Sequence, residues 1–566
     1  MDMNRRTFLG GAALFGAALT ATAAGCAPQE PARDELSKTG ANDESSAPAW
    51  LGEAPAISDD ECVETLDCDM LVVGAGCSGY FAACHGAEAG AKVILIEKDE
   101  IGHGIRDSGF GAVGSRYQVA HNVKIDKAEY LNDLIRYADG QVNPALHRKW
   151  LDYSHEAIDW YGDIVESIDG AQIDLEWSMP AEPTRYHMWP TGHGTNDGSE
   201  LVGGIQTAVV GKVMERLDAR IRDNGGDIRY LTKLERLISE QGAVVGAYAS
   251  TADGMIRINA SRGVVVATGG YCNNEAMMAA LQPEVIATTS GWCCHATQPA
   301  TGDGIKAMLW EGAQLDPTST AMIFDRGLVS PDTAIAGPDS GGYYFTLGSQ
   351  PFLKVNSKGE RFINESTPYD YVSHAARRFG DHAYFMVWDA NWRDDVLRFH
   401  TIGCSTIDLH EGGDQQAMGI EATAEEMEAL VEQGLLVKAD TLEELAAGLG
   451  IDATTFAATV ARANELYDKG EDEDFGKEPF RLSAMRTAPF YGAKLGGLLL
   501  CTLHGVQVTG DFQVLGPNGD PIPGLYAIGN DMGGYYASSY PNFGAGTNAG
   551  RCATHGMLLG RALAQA

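Results

Sequence analysis

Three glycines and one acid, arranged Gly74-x-Gly76-x-x-Gly79 and then Glu97, are the first residues of this chain whose types and intervals could do chemistry. Glycine has no Cβ. Gly74 therefore permits a tight turn, Gly76 lets backbone approach a pyrophosphate, and Gly79 lets a helix lie close to a strand. Ser78 belongs to the same turn, where the first N–H groups of a following helix point at an anion. Glu97, about 20 residues further on, is placed for a ribose hydroxyl. The chemistry is dinucleotide binding, and it needs a strand, a turn, a helix and a second strand in that order. Residues 69–98 read that way, with apolar strands at 70–73 and 92–96 around a helix of small residues.

Later stretches return to the same ligand. Residues 101–115 hold five glycines, and Ser108, Gly109 and Gly111 at their centre would bring bare backbone amides against a planar ring system. Residues 262–271 read as a β-branched strand entering Thr268-Gly269-Gly270, and Gly302-Asp303-Gly304 opens a helix. Near the end, a strand from Gly524 enters a turn at Asn530. Beyond Gly546, Thr547 or Asn548 could cap a final helix whose N-terminus would stabilise negative charge on a reduced ring. This order of signals favours FAD over NAD.

Composition narrows the partners. A net charge of -36 over 566 residues excludes nucleic acid and simple attraction to anionic lipid, because both would be repelled. The 11 cysteines form no Cys-x-x-Cys pair. Cys272, Cys293 and Cys294 read as buried small hydrophobes, with an iron–sulfur site as the alternative, and no metal is expected.

Residues 1–25 read as a twin-arginine export signal, with Arg5-Arg6 ahead of a Gly/Ala/Leu run, and Cys26 stands where a lipoprotein would be acylated. Residues 26–64 read as a disordered tether spanning roughly 30 Å. These features place the protein outside the cytoplasm, anchored through Cys26. The remainder divides into an FAD-binding part at 65–318, a cap at 319–497 and a return to the FAD-binding domain at 498–566. Within the cap, residues 353–365 read as strand, turn and strand, helices are expected at 424–433, 442–449 and 457–469, and the acidic run 471–474 reads as a solvated loop.

This layout, with Gly359-Glu-Arg-Phe-Ile-Asn-Glu365 and Leu525-Tyr-Ala-Ile-Gly-Asn530, resembles the fumarate-reductase-like flavoproteins from about residue 65 to 566. The resemblance implies an α/β fold: a two-dinucleotide-type FAD-binding Rossmann domain with an inserted α+β cap domain. Tyr369 and Tyr540 stand where the fumarate reductases carry arginines, and Cys501 or a neighbouring leucine replaces a substrate histidine, with His504 close by. Without those cations a buried dicarboxylate lacks its partners. Tyr540 to Gly546 is similar instead to the Tyr-x-x-x-Gly element of the 3-ketosteroid dehydrogenases. There the tyrosine hydroxyl and a glycine N–H, here Gly544, bind a ketone oxygen, and Tyr369 matches their acid/base tyrosine. The resemblance thus implies an FAD-dependent reductase of an enone, or the reverse desaturase, fed by a separate membrane-associated donor, quinol-linked or a cytochrome. An unsaturated acid is the alternative substrate and would need Arg326 or Arg361 as its cation. A lipoprotein that binds FAD and only relays electrons is the alternative outside catalysis.

Overall fold

The structure is a computed structural model that describes residues 48–103, 109–175, 183–197, 207–293, 299–401, 405–407, 419–540 and 543–566. The export signal, Cys26, Ser108 and Cys294 lie outside the described residues. From Trp50 to Ala566 the chain forms one compact unit.

Its centre is an eight-stranded sheet in which the strands Pro521–Ala527, Gly254–Val266, Cys62–Val73, Val93–Ile96 and Asp227–Arg229 lie side by side and parallel. The inner runs at 70–73, 93–96 and 264–266 are continuously apolar and buried, as strands covered on both faces must be. Register decides the function of this sheet. Val73 is the partner of both Ile96 and Val266, and Val266 is the partner of Ala527. The turns after those residues therefore open at one edge, where open α/β sheets bind ligands.

The small-residue pattern of the first helix, Cys77–Glu88, is explained by its neighbour, the C-terminal helix Thr547–Gln565. A Cβ on Gly556 would fall 2.4 Å from the Ser78 carbonyl oxygen and one on Gly560 2.3 Å from that of Ala82. The two helices meet backbone to backbone, so the end of the chain is brought over the start of the fold.

A second, seven-stranded sheet is built on Phe490–Thr502, flanked by Ala321–Val329 and Tyr384–Trp388. It takes strands from Thr289 to Thr502, so it reaches beyond both ends of the 319–497 span. Its longest strand has one end deep in the cap and the other, at Leu500 and Cys501, at the main cavity. Among the described residues no helix is long and apolar enough to cross a membrane.

Three expectations change. The tether is shorter than 26–64: the carbonyls of Gly52 and Pro55 accept bonds from Trp310 and Arg236, and from Cys62 the chain is a strand paired to Met255. The second strand of 353–365 shrinks to a single bridge between Val355 and Arg361. The run 471–474 is not wholly solvated, because Asp472 is buried. One interaction causes the last two changes. Arg361 donates in parallel pairs to Glu365 (2.9 and 2.8 Å) and to Asp472 (3.1 and 2.8 Å), and Lys477 stands 3.2 Å from Glu365. Burial pushes the Asp472 carboxyl up, but the guanidinium outweighs it and holds it at about 2. Arg361→Met leaves Asp472 buried without its cation and should destabilise the protein by about 3–5 kcal/mol. Denaturant unfolding checks this, and a loss below about 1 kcal/mol would show that the cluster is not desolvated.

Candidate active site

One cavity runs along the open edge of the parallel sheet, from Glu97 and Lys98 to Tyr369 and Tyr540. At the first end the expected residues separate into those that face the space and those that make room for it. Gly74 has φ 105°, and a Cβ there would meet the Ala267 carbonyl oxygen at 2.4 Å. Gly79 packs harder still, with a Cβ falling 1.9 Å from the Gly74 oxygen, so it stands behind the wall. Gly76, Cys77 and Ser78 border the cavity at the start of their helix. Glu97 accepts from the N–H of Ala75 (2.8 Å) and of Asp99 (3.1 Å), which fixes the carboxylate and leaves it lone pairs for a hydroxyl. Asp303 is bonded to Lys98 (2.8 Å) and Thr301 (2.7 Å). Burial alone would raise its pKa, but the ammonium and the hydroxyl hold it below the usual carboxylate range.

In the middle, Thr268 and Gly269 line the cavity, while Gly270 packs against Thr502, 2.4 Å from where its Cβ would stand. The residue that shapes this turn is Asp531, which the sequence reading passed over although it directly follows Asn530. Its carboxylate accepts from the Thr268 N–H, the Thr268 hydroxyl (2.9 Å), the Gly269 N–H (3.2 Å) and the Gly270 N–H (3.0 Å). An acid immediately after a predicted strand end was the available signal.

Gly109 and Gly546 meet over the cavity, and Gly111 donates its N–H to the Gly546 oxygen (2.7 Å). Gly546 has φ 73° and is itself the cap of the last helix, because a Cβ there would stand 2.2 Å from the Gly109 oxygen. This corrects the expectation of a Thr547 or Asn548 cap. Thr547 is the first helical residue, and its hydroxyl donates to the Gly544 oxygen (2.7 Å). Asn548 and Ala549 border the cavity, and so does Asn530.

At the far end Tyr369 starts the helix Tyr369–Ala376, and its ring lies 4.8 Å from Phe324. Tyr540, remote in sequence, borders the same space, together with Met322, Phe324, Leu500 and Cys501. Asp370 links the two tyrosines: its Oδ2 accepts the Tyr540 N–H at 2.8 Å. Gly544 is not itself among the described residues that line the cavity. A Cβ on it would sit 1.7 Å from the Tyr130 hydroxyl, so that side of the glycine serves a close packing contact.

The expected cations are elsewhere. Arg361 belongs to the ion cluster of the cap. Arg326 is fully buried 5.7 Å from the Tyr369 ring, donating to the hydroxyls of Tyr344 (3.1 Å) and Ser405 (3.3 Å). His504 is bonded to Tyr271 (2.6 Å) and to the Asp316 oxygen (2.9 Å). The basic residues that do line the cavity, Lys98, Lys233 and His103, cluster around Glu97. Among the described residues that line this cavity, the tyrosine end is thus apolar with neutral donors.

Burial pushes the Asp370 carboxyl up to about 8, against the N–H bonds from Tyr540 and Tyr371 and the charge of Arg377. It is therefore neutral below that pH. Above it, a negative charge beside Tyr540 would oppose negative charge building on a bound substrate. The expected result is a kcat/KM that falls as pH rises through about 8, with the fall abolished in Asp370→Asn. An unchanged limb in that variant would assign the titration to another group.

The residues present fit FAD. Bare backbone where a Cβ cannot stand, a helix N-terminus for phosphates and a fixed acid for a ribose line one continuous cavity. Comparisons with known proteins agree. The chain is 28% identical over 508 residues to the vinyl phenol reductase of Lactiplantibacillus plantarum, covering 88% of this chain and 96% of that protein. It is 25% identical over 596 residues to the digoxin reductase of Eggerthella lenta, covering 99% and 97%. The structure of the 3-ketosteroid-Δ4-(5α)-dehydrogenase of Rhodococcus jostii RHA1 shares the fold, with a TM-score of 0.66, 21% identity and coverage of 90% of this chain and 99% of that one. Residues 69–547 match the family described as FAD binding domain. By that match, and by the cavity those residues enclose, the chain belongs to the FAD-binding-domain family and is an FAD-dependent oxidoreductase.

Proposed function

We propose that this protein reduces a carbon–carbon double bond conjugated to a ketone. The observation that carries the reading is the pairing of Tyr369 and Tyr540 at one end of the cavity, in an apolar wall with no arginine among its described residues. When bound, FAD supplies the hydride for the carbon β to the carbonyl. Tyr540 donates its hydroxyl proton in a hydrogen bond to the carbonyl oxygen, where negative charge develops. Tyr369 gives a proton to the α carbon. Phe324, Met322 and Leu500 exclude water around the alkene, which strengthens both interactions. The same groups, used in the opposite order, serve desaturation. The Gly544 N–H is the second donor to the carbonyl oxygen in this reading, while the opposite side of its Cα packs against Tyr130.

One relative is by its name a reductase of vinyl phenol, an uncharged alkene on an oxygenated ring, while others are by name reductases of the unsaturated acids fumarate, acrylate and urocanate. A carboxylate would have to enter the same end without a charge partner among the described residues of that wall. Electrons would come from a separate donor, quinol-linked or a cytochrome, outside the cytoplasm, with the protein held at the membrane through Cys26.

The test is anaerobic. Dithionite-reduced protein is mixed in turn with a Δ4-3-ketosteroid, a simple cyclic enone, a cinnamate, urocanate and fumarate, and flavin absorbance near about 450 nm is followed. Reoxidation by the ketones is expected. Reoxidation by the acids alone would overturn the proposal.

A further inference from the structure

Arg551 lies in the last helix and is fully buried. Each of its hydrogen bonds to the described residues ends on a neutral oxygen. Nη1 donates to the Gly529 carbonyl (2.9 Å), Nη2 to Asn530 Oδ1 (3.0 Å) and Nε to Asn548 Oδ1 (2.9 Å). Its guanidinium stands 5.1 Å from the ring centres of both Tyr535 and Tyr536. All three acceptors border the cofactor cavity. A buried guanidinium normally carries a carboxylate partner, since removing an ion from water is costly unless it is compensated. The buried acid next in sequence to Asn530, Asp531, is committed to the Thr268–Gly270 turn. Among the described residues, the guanidinium charge thus forms no ion pair.

We propose that Arg551 is a positioning residue that raises the electron affinity of the bound flavin. Its charge stands one hydrogen bond behind the wall, where a low dielectric carries the field into the cavity. It also orients both asparagines. With Oδ1 of Asn548 and of Asn530 turned to the guanidinium, the Asn548 amide N–H group is directed to Asn530 Oδ1 (3.3 Å) and Cys501 (3.9 Å) along the wall. Two-electron reduction adds negative charge to the cofactor, and a fixed cation favours the reduced form over the oxidised one. This inference rests on FAD binding and on nothing about the substrate.

The experiment measures the flavin midpoint potential of substrate-free holoprotein against reference dyes, together with flavin content and melting temperature. Arg551→Gln should lose at least tenfold in preference for reduced over oxidised cofactor, a shift of about 30 mV to lower potential. Arg551→Lys keeps the charge and should recover most of that shift. An Arg551→Gln protein with native potential but weakened FAD binding would overturn the proposal, because a cation serving only the phosphates stabilises both oxidation states alike. Should Arg551→Gln not hold its cofactor, Asn530→Asp decides the matter. That isosteric change hands the guanidinium a carboxylate, and the potential should again fall, whereas an unchanged potential would overturn the inference. Because no substrate is present, failure of the enone reading leaves these outcomes untouched.

Discussion

Tyr369→Phe should yield a folded protein with full flavin content whose turnover falls by about 10²–10⁴-fold, the contribution of a positioned general acid. The ring keeps the contacts of its faces, with Phe324 and with the Arg326 guanidinium at 5.7 Å. Only the hydroxyl is lost. Reduction by dithionite needs no proton from this residue and should be unaffected, while reoxidation by an enone should become slow. Tyr540→Phe removes the donor to the carbonyl oxygen and should cost about 10²–10³-fold, the usual effect of one oxyanion donor. The Tyr540 backbone stays tied to Asp370 in both variants, so substrate binding weakens only in Tyr540→Phe, where the side chain that touches the ketone has changed. Stopped-flow reoxidation of the reduced variants measures each loss. A Tyr369→Phe enzyme within threefold of the native rate would remove that residue from the proton path.

Asp531→Ala should give a protein purified largely without flavin. The carboxylate is fully buried and accepts from three consecutive N–H groups and one hydroxyl of the Thr268–Gly270 turn. Each buried donor left unpaired costs about 1–3 kcal/mol, so several kcal/mol of turn geometry depend on one side chain. Gly270 (φ 90°) and Gly269 (φ 90°) have the conformational freedom to relax once released. Thr268 and Gly269 then no longer present one surface to the cofactor. The ratio of flavin to protein after purification, and the rise in melting temperature on adding FAD, test this. Asp531→Asn keeps acceptor oxygen but turns an N–H group toward an N–H donor, so it should fall between the two. Stoichiometric flavin in the alanine variant would show that the turn is held by its strands alone.

The local chemistry of nucleotide binding was legible because it is written in short intervals. Gly74, Gly76 and Gly79 stand within one turn of each other, and Glu97 ends the next strand, so spacing along the chain and spacing in the fold are nearly the same quantity. The neutral character of the tyrosine end was legible for a related reason: a residue type carries its charge or lack of it wherever it folds. Helices at 424–433, 442–449 and 457–469 were legible through their period, and the structure places helices at Ile420–Glu432, Leu442–Leu449 and Ala453–Lys469.

What the chain order could not express was partnership across it. Asp531 serves a turn more than two hundred residues earlier, Arg361 draws Asp472 out of solvent, and the tyrosine pair is joined by an Asp370 bond to a backbone N–H in another segment. Gly544 and Gly546 look interchangeable in sequence. Only the fold turns one against Tyr130 and makes the other a left-handed cap over the cavity. The sequence by itself determined the cofactor, the parallel α/β architecture and the absence of cations at the two tyrosine positions, because these depend on residue type, apolar runs and intervals of a few residues. The tertiary structure alone decided which glycines face the ligand, where the buried charges find or lack partners, and that Tyr369 and Tyr540 share one cavity. Those properties are set by close packing between segments far apart in the chain, and no local pattern encodes them.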